Sequence, residues 1–257
     1  HGGVQLHDRH AEPRVVVGPR SRVGAHVDHG TGPPLRRLPH RLHDDVRRHD
    51  TASAALLPLH RGPSSINWPI IWGATKTGIS YFWPDDGLDE GEILLQKEID
   101  IGPNDTLGTI YFEKAFPLGI DATLEAIDLV RAGSPPKNVQ NNSKATYEGW
   151  CNKKVAEIKW DNSVNEVYNL IRGCNPQPGA WTTFEGEMLE IFDSAKIEDA
   201  AFGRVGQIVS VTKDGILVTA GRGAILVKRV RYAGGKKVAA TEFANEIGLA
   251  AGDKLGN

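Results

Sequence analysis

The pattern of apolar and polar positions in the middle of the chain predicts two strands joined by a tight turn. The run Gly-Ile-Ser-Tyr-Phe-Trp at 78–83 is β-branched and aromatic, and the apolar-rich segment 92–98 is a second strand candidate. Between them, Gly-Leu-Asp-Glu-Gly at 87–91 has the composition of a turn. The acidic cluster from Asp85 to Glu92 is therefore expected on a loop between two strands.

Helical spacing follows these strands. Asn104 or Asp105 is suited to cap a helix that runs through Ala115, and Gly133 is suited to end the helical region. Between Ala115 and Gly133 the apolar residues recur every three or four positions, at Ile120, Leu124, Ile127 and Val130. Strands that alternate with helices predict an α/β layer.

A polar stretch with two prolines, 134–144, interrupts this pattern and is typical of a linker. Beyond it, Ser163 and Glu166 have the spacing of a capping box for a short helix that ends at Gly173. The segments 205–212, 215–220 and 224–232 are short, rich in Val and Ile and separated by Gly-containing turns. This part is expected to be a β-rich domain, either a meander or a small barrel.

Composition changes sharply near residue 63. All nine histidines and ten of the sixteen arginines precede it, whereas Lys, Ile, Asn, Phe, Tyr and Trp are absent before Ile66. The formal charge is +4 over residues 1–62 and −6 over the remainder. Three interpretations are open for this His/Arg/Pro-rich segment: a basic arm that binds phosphate, a metal-binding tract, or a non-native stretch translated in the wrong reading frame. We favour the third.

The metal interpretation depends on histidine pairs with helical spacing, namely His7/His10, His26/His29 and His40/His43. Prolines interrupt any long helix there, and no apolar face is present to hold the ligands still. We therefore assign no metal site. The resulting division of the chain is 1–52, anomalous; 53–133, the α/β part; 134–150, a linker; and 151–257, a small β-barrel.

The cysteine and apolar content suggests a reducing compartment. Only Cys151 and Cys174 are present, and no apolar run approaches the roughly 18 residues of a membrane span. No secretory leader is visible. We expect a cytoplasmic protein that does not associate with membranes.

Several sequence blocks resemble the folate-dependent formyltransferase family, which includes methionyl-tRNA formyltransferases and the hydrolase domain of 10-formyltetrahydrofolate dehydrogenases. The blocks are LLPLHRG at 56–62, SINW at 65–68, FWPDDGLDEG at 82–91, LLQKE at 94–98, ATYEG at 145–149 and PGAWT at 178–182. The resemblance covers about residues 55–257. It implies an incomplete formyltransferase-type, Rossmann-like α/β domain followed by a small barrel. The closing GDKLG resembles the end of free-standing transferases, so an attached aldehyde-dehydrogenase domain is not expected.

The resemblance also implies the site. Asp89 matches the family's catalytic aspartate, and 10-formyltetrahydrofolate is the implied formyl donor, with no metal. Formyl transfer passes through a tetrahedral oxyanion, which needs a base and hydrogen-bond donors. The residues implied to contact the folate are Asp85, Asp86, Gly87, Leu88 and Leu57.

The chain departs from the family at two positions. The family carries a His two residues before its Ser/Leu/Leu/Pro block and, in the transferases, an Asn two residues earlier; here these positions are Ser53 and Thr51. A serine hydroxyl donates a hydrogen bond but cannot take up a proton as an imidazole does. His60 lies in the following loop, where the family implies no catalytic role. We therefore expect weakened catalysis.

Three hypotheses are left open: transfer of the formyl group to initiator methionyl-tRNA or another amine, its hydrolysis by water, and folate binding without turnover. Between Arg204 and Lys237 the chain has eight basic residues and one acid, which favours a polyanion such as initiator methionyl-tRNA. The candidate contacts are Arg229, Arg231, Lys236 and Lys237. The blocks shared with the hydrolase domain favour water instead. The third hypothesis, from the loss of the imidazole, is a folate-binding fragment that does not turn over.

Overall fold

The computed structural model describes residues 52–198 and 203–256. The anomalous segment, apart from Ala52, lies outside the described residues, as do the three histidine pairs and Thr51. No helix within the described ranges is both long and apolar enough to cross a membrane.

The first part of the described chain is built on an antiparallel three-stranded sheet. Its strands are β1 (Ala52–Ser53), β2 (Lys76–Phe82) and β3 (Ile93–Asp100), in the order β1-β2-β3. Ser53 lies opposite Ser80, and the backbone N–H of Trp83 donates to the carbonyl of Glu92 at 2.8 Å. The two strands predicted around the acidic cluster are therefore confirmed as a hairpin.

Helical segments cover this sheet. They are α1 (Asn67–Ile71), α2 (Leu107–Thr109), a π-helical turn (Ile110–Ala115) and α3 (Phe116–Arg131). Thr106 caps this helical run, because its hydroxyl accepts from the N–H of Thr109 at 3.2 Å while the Thr109 hydroxyl accepts from the Thr106 N–H at 2.9 Å. The expected cap at Asn104 or Asp105 was wrong, since the Asp105 carboxylate instead accepts from the N–H of Gly102 at 2.7 Å. Gly133, at φ +88°, follows the helical region as predicted.

The periodic apolar face of the π-helical turn and α3 is exposed. We call it the apolar stripe, and its members are 41–67% accessible: Phe112, Phe116, Ile120, Leu124 and Ile127. The residues of α3 that are buried are small, Ala122 and Ala126. The helical spacing was therefore correct, but the core of this part is formed by other residues, among them Ile70, Ile99 and Ile110.

The second part of the described chain packs two helices against a six-stranded antiparallel sheet. These helices are α4 (Val164–Gly173) and α5 (Ala240–Ile247). The strands are β4 (Ala180–Phe184), β5 (Glu187–Glu198), β6 (Ile208–Thr212), β7 (Gly215–Ala220), β8 (Gly223–Tyr232) and β9 (Lys237–Ala239). Ser163 and Glu166 form the predicted capping box of α4. The three predicted strands correspond to β6, β7 and β8.

The strand order of this sheet is β4-β5-β8-β7-β6, with β9 paired to β8. Within the described residues no ladder joins β4 to β6, so the sheet is open and the predicted barrel stays a prediction. The apolar core between the sheet and the helices includes Val167 and Ile171 from α4, Leu189 and Ile225 from the sheet, and Phe243 from α5. This cluster is the largest core of the described chain.

Residues 134–150 connect the two parts and pack closely on the first. The backbone of Asn138 exchanges hydrogen bonds of 2.7 and 3.0 Å with Ile93, and the indole N–H of Trp68 donates to the carbonyl of Gly149 at 2.8 Å. Cys151 begins the second part with its N–H on the Ser64 hydroxyl at 2.9 Å. These contacts bring the connecting segment beside the acidic loop.

Candidate active site

The acidic loop, residues 83–92, carries four predicted folate-binding residues at its tip. Asp85, Asp86, Gly87 and Leu88 are all exposed, and the Asp85 carboxylate accepts a 2.9 Å hydrogen bond from the N–H of Gly87. Such a local turn fixes the backbone through its own side chain. The tip is therefore shaped internally, with its side chains accessible to a ligand.

Asp89 lies below the tip, half-buried and in a left-handed conformation with φ 56°. A residue with a side chain in this region costs about 1–3 kcal/mol unless its surroundings impose it. Here the carboxylate oxygen Oδ2 accepts from the backbone N–H of Gly62 at 2.9 Å, and the Asp89 carbonyl accepts from the side chain of Gln140 at 2.8 Å. Asp89 is thus held through both its side chain and its backbone. An ionised carboxylate has about four acceptor positions, so the contact with Gly62 leaves capacity for a proton.

Arg61 lies at the centre of the loops around Asp89. It is 1% exposed, and one terminal nitrogen donates to Gln140 Oε1 at 2.8 Å and to Asn142 Oδ1 at 2.7 Å. The other terminal nitrogen donates to the Tyr147 hydroxyl and lies 3.7 Å from Glu90 Oε1. A buried guanidinium is tolerated only when it is hydrogen-bonded in this way. Arg61 therefore joins the loops 57–62, 89–91 and 138–148.

His60 pairs with the same connecting segment. Its ring nitrogen Nδ1 lies 3.1 Å from Glu148 Oε1, and its backbone N–H donates to the Thr146 hydroxyl at 2.8 Å. Asp89 is not among its hydrogen-bond partners in the described part of the chain. These contacts give His60 a role in holding the loops, and its lack of a catalytic role stays a prediction.

Leu57 is buried under the acidic loop. It is 5% exposed and packs with Ala55, Phe82 and Ile93 in a small apolar cluster. Its backbone N–H donates to the Ser80 hydroxyl at 3.1 Å, and that hydroxyl donates to the Ala55 carbonyl at 2.6 Å. The predicted contact of Leu57 with folate stays a prediction.

Ser53, the position where the resemblance implies an imidazole, is located in β1. It is buried and lines an apolar cleft of about 340 Å³ together with Tyr81, Tyr111 and Phe116. Among the described residues, the Asp89 carboxylate bonds to Gly62 rather than to Ser53. No hydrogen bond joins Ser53 to Asp89 within the described residues.

The predicted basic surface lies on β8 and β9. Strand pairing sets Arg231 opposite Lys237 and Glu190, and Arg229 opposite Asp193. Arg231 donates to both carboxylate oxygens of Glu190, which lies almost fully buried. This hydrogen bonding raises the pKa of Arg231, so its charge is fixed and at the same time compensated.

Glu190 also binds Lys153, and its own pKa reflects both partners. Burial alone would raise the pKa of this carboxyl, but the hydrogen bonds from Arg231 and Lys153 outweigh burial and lower it. Lys237 lies over the ring of Phe192, 3.5 Å from its centroid. Burial lowers the pKa of Lys237, and the positive charges of Arg231 and Arg229 add to that effect. The predicted contacts thus differ in how far their charges are compensated. The charge of Arg231 is paired with Glu190, whereas the side chain of Arg229 is exposed.

Sequence reasoning missed the residues that hold Asp89. Arg61, Gln140 and Tyr147 occur in stretches that read as a loop and a linker, where polar residues are ordinary. The signal that was available is that LLPLHRG and ATYEG, two of the family blocks, contain Arg61 and Tyr147. Within the described ranges, no group of three or more His, Cys, Asp or Glu side chains is placed to hold a metal ion.

Two family models match the chain. Residues 53–117 match the model described as formyl transferase, and residues 151–248 match the formyl transferase C-terminal domain. Together the matches cover more than half of the chain.

Curated relatives agree with this assignment. The chain is 40% identical over 197 residues to the mitochondrial 10-formyltetrahydrofolate dehydrogenase of Homo sapiens, a match that covers 74% of this chain and 21% of that protein. It is 37% identical over 202 residues to the methionyl-tRNA formyltransferase of Syntrophus aciditrophicus, covering 79% of this chain and 64% of that protein. The chain thus spans about a fifth of the length of the first relative and under two thirds of the second.

Solved structures show the same fold at low sequence identity. HypX from Aquifex aeolicus in complex with tetrahydrofolic acid superposes with a TM-score of 0.62 at 16% identity, over 79% of this chain and 36% of HypX. WlaRD, a sugar 3N-formyl transferase, superposes with a TM-score of 0.55 at 20% identity, over 68% of this chain and 63% of WlaRD. These likenesses show a formyltransferase-type α/β fold. By its two model matches and its relatives, the chain belongs to the formyl transferase family.

Proposed function

We propose that the protein binds 10-formyltetrahydrofolate and transfers its formyl group, with Asp89 as the general base. The observation that carries this proposal is the hydrogen bond from the Gly62 N–H to Asp89 Oδ2, which holds the carboxylate below an exposed loop tip. The tip residues Asp85, Asp86, Gly87 and Leu88, with Leu57 beneath them, are the proposed folate contacts. HypX, which shares this fold, has been solved in complex with tetrahydrofolic acid, and this supports a folate ligand.

The proposed step forms a bond from the acceptor atom to the formyl carbon and breaks the bond from that carbon to the folate nitrogen. Asp89 takes the proton that the attacking amine or water loses. The folate nitrogen leaves with the bonding electron pair and takes up the proton that Asp89 holds, which returns the carboxylate to its ionised form. The tetrahedral oxyanion between these events requires donors, and loss of one such donor typically costs roughly a hundred- to a thousandfold in rate.

For the acceptor we propose methionyl-tRNA, with the basic surface as its contact. Arg229, Lys236 and Lys237 support this, because they extend a positive strip beside the compensated Arg231. The relative from Syntrophus aciditrophicus carries that activity in its name. Water is the alternative acceptor, supported by the similarity to 10-formyltetrahydrofolate dehydrogenase.

A function of another class has support from Ser53. A chain with serine at the position where the resemblance implies an imidazole is suited to bind folate without turning it over, because a hydroxyl cannot take up a proton as an imidazole does. Release of tetrahydrofolate from 10-formyltetrahydrofolate, followed with and without methionyl-tRNA, separates the three candidates. Transfer requires the tRNA, hydrolysis does not, and a binding fragment gives neither while still binding the folate.

The role of Asp89 is tested by Asp89→Asn with Asp85→Asn as the matched control. Asp89→Asn keeps an acceptor for the Gly62 N–H but removes the base, so we expect turnover to fall by roughly a hundredfold or more with folate affinity little changed. Asp85→Asn alters the same loop and is expected to affect mainly affinity. Equal turnover in the wild type and Asp89→Asn would contradict the proposal.

We further propose the division into 53–133, 134–150 and 151–257, with the last part closing as a small barrel. The two separately matched segments and the separate apolar clusters support it. A cytoplasmic location is also proposed, supported by Cys151 and Cys174, which are free thiols with sulfurs 3.7 Å apart.

A further inference from the structure

The amide orientation of Gln140 is dictated by Arg61. Gln140 is 7% exposed, and its Oε1 accepts from the Arg61 guanidinium at 2.8 Å. A guanidinium only donates, so the side of Gln140 that faces it must be the oxygen. The NH₂ group must then point the other way, towards the acidic loop. The oxygen and the nitrogen of the Gln140 amide are therefore assigned from the hydrogen bond with Arg61, since the shape of an amide does not distinguish them.

The NH₂ group of Gln140 meets the acidic loop at two backbone carbonyls. It donates to the carbonyl of Asp89 at 2.8 Å and to the carbonyl of Gly91 at 2.7 Å. These two carbonyls flank Glu90, so one side chain holds the backbone on both sides of the turn. Asp89 has a positive φ, a conformation that residues other than glycine adopt only when their surroundings require it.

The loop is also held at Glu90. The Tyr147 hydroxyl donates to Glu90 Oε1 at 2.6 Å while it accepts from Arg61. The hydrogen bond to Glu90, together with burial, raises the pKa of Tyr147, and the phenol therefore stays a donor. Gly91 adds a steric requirement, because a Cβ there would lie 1.6 Å from the carbonyl oxygen of Trp83. The turn from Asp89 to Gly91 is thus fixed on three sides.

We propose that Arg61 and Gln140 are positioning residues for Asp89. Arg61 orients Gln140, and Gln140 holds the Asp89 backbone in the conformation that brings its carboxylate to the Gly62 N–H. Both are proposed to act through Asp89 and not on the substrate itself. The inference rests on the proposed role of Asp89 as the base, and it adds which residues orient its carboxylate.

A merely structural role predicts a different outcome from a positioning role. If Arg61 and Gln140 only contributed stability, their loss would lower the melting temperature and leave kcat of the folded protein unchanged. A base in the wrong position lowers kcat with little change in KM, since an error of about 1 Å in placing a catalytic group can lower the rate on the order of a hundredfold. The split between kcat and KM therefore separates the two.

The decisive variant is Gln140→Glu. A glutamate keeps an oxygen for Arg61 but has no N–H for the carbonyls of Asp89 and Gly91, so it separates satisfying the guanidinium from holding the loop. Arg172→Lys is the matched control, because Arg172 is also buried and bonded to backbone carbonyls, those of Gly102 and Asp105. We expect Gln140→Glu to lower kcat by roughly ten- to a hundredfold with KM for 10-formyltetrahydrofolate within about threefold, and Arg172→Lys to leave both unchanged.

Asp89→Asn is measured beside these variants. If turnover is insensitive to Asp89→Asn, the proposed function fails; if it is sensitive but Gln140→Glu keeps the wild-type kcat, the positioning role fails alone. Should the wild-type chain bind folate without turnover, hydrogen exchange of the amides from Gly87 to Gly91 gives the readout. Faster exchange in Gln140→Glu than in Arg172→Lys supports the inference, and equal exchange in the two variants overturns it.

Discussion

The backbone N–H of Gly62 donates a 2.9 Å hydrogen bond to Oδ2 of Asp89, twenty-seven residues further along the chain. Gly62 reaches this position at φ +115°, and a Cβ added to it would lie 2.5 Å from the carbonyl oxygen of Glu148. The donor is therefore wedged between the connecting segment and the acidic loop. Only glycine satisfies both the backbone angle and the space.

Gly62→Ala is expected to disturb both stability and the placement of Asp89. Conformational strain and the contact with a backbone oxygen together should cost about 2–3 kcal/mol. Chemical denaturation measures the loss, and turnover should fall beyond what unfolding explains. Gly133→Ala is the control: it has φ +88° but nothing within 4 Å of the added Cβ, so it should cost only about 1 kcal/mol and leave turnover unchanged. Equal losses at the two glycines would show that the contact with Glu148 is unimportant.

Restoring the imidazole at Ser53 tests whether the missing family residue limits catalysis. The cleft of about 340 Å³ beside Ser53 has room for a larger ring. Ser53→His is expected to raise formyl turnover by on the order of a hundredfold, the usual contribution of a positioned acid or base. Ala54→His is the comparison, because it places the same ring one residue further along the chain, beyond the end of β1. A gain from Ala54→His and none from Ser53→His would contradict the assignment of position 53.

The Glu190 carboxylate is predicted to make stability depend on pH. Its pKa in the folded protein is lowered, because hydrogen bonds from Arg231 and Lys153 outweigh the effect of burial. The stabilisation is therefore present above the ordinary glutamate pKa of about 4.3 and is lost as the pH falls through the lowered value. Glu190→Gln should cost about 1–3 kcal/mol at pH 7, with the difference from wild type shrinking below about pH 4.

Unfolding by urea at several pH values measures that difference. Glu242→Gln, at an exposed carboxyl near the start of α5, is the control and should change the unfolding free energy by less than about 0.5 kcal/mol. A difference between wild type and Glu190→Gln that stays constant from neutral to strongly acidic pH would argue against the proposed origin.

Exposure of the apolar stripe predicts self-association that polar substitution relieves. Phe112 and Phe116 are 67% and 57% exposed, so replacing both by serine removes apolar surface without emptying the core. The double variant should keep its unfolding free energy within about 1 kcal/mol and stay monomeric to higher concentration. Light scattering across a concentration series measures this. Ala122→Asp, on the buried side of α3, should instead destabilise strongly.

The basic surface predicts salt-dependent binding of tRNA. Arg229→Gln removes an exposed cation, and the slope of log K against log salt should become shallower by about one for each phosphate that is no longer neutralised. Filter binding at several salt concentrations measures the slope. Lys76→Gln, whose ammonium is already paired with Glu98, is expected to leave it unchanged. Identical slopes for wild type and Arg229→Gln would argue against this surface.

The helices and strands that could be predicted from sequence are those whose signals lie within a few neighbouring residues. Ser163 and Glu166 indicated the start of α4, and the β-branched run at 78–83 indicated β2, because caps and alternation act within a few residues. The cap at Thr106 was missed because three neighbouring residues can all cap, and only the tertiary partner of Asp105 decides between them. The exposure of Ile120 and Leu124 was equally invisible, since periodicity reveals a face but not what covers it.

The residues of the candidate site likewise fall into those that sequence indicates and those that it does not. Asp89 could be singled out because it lies within a recognisable block, whereas Gln140 could not, since its importance depends on a contact with Arg61 across seventy-nine residues. Nor does sequence reveal that Ser53 is buried beside an apolar cleft. Long-range pairing of polar groups has no periodic signature.

The packing of residues 134–150 determines where the chain can be shortened. A cut after Gly133, where composition marks a boundary, would remove Gln140, Asn142 and Tyr147, the three side chains that accept hydrogen bonds from the buried Arg61. A buried guanidinium that has lost these acceptors must be solvated by water, which would then enter the loops around Asp89. The shortest fragment that preserves the acidic loop therefore extends at least to Glu148, and the segment that joins the two parts belongs energetically to the first.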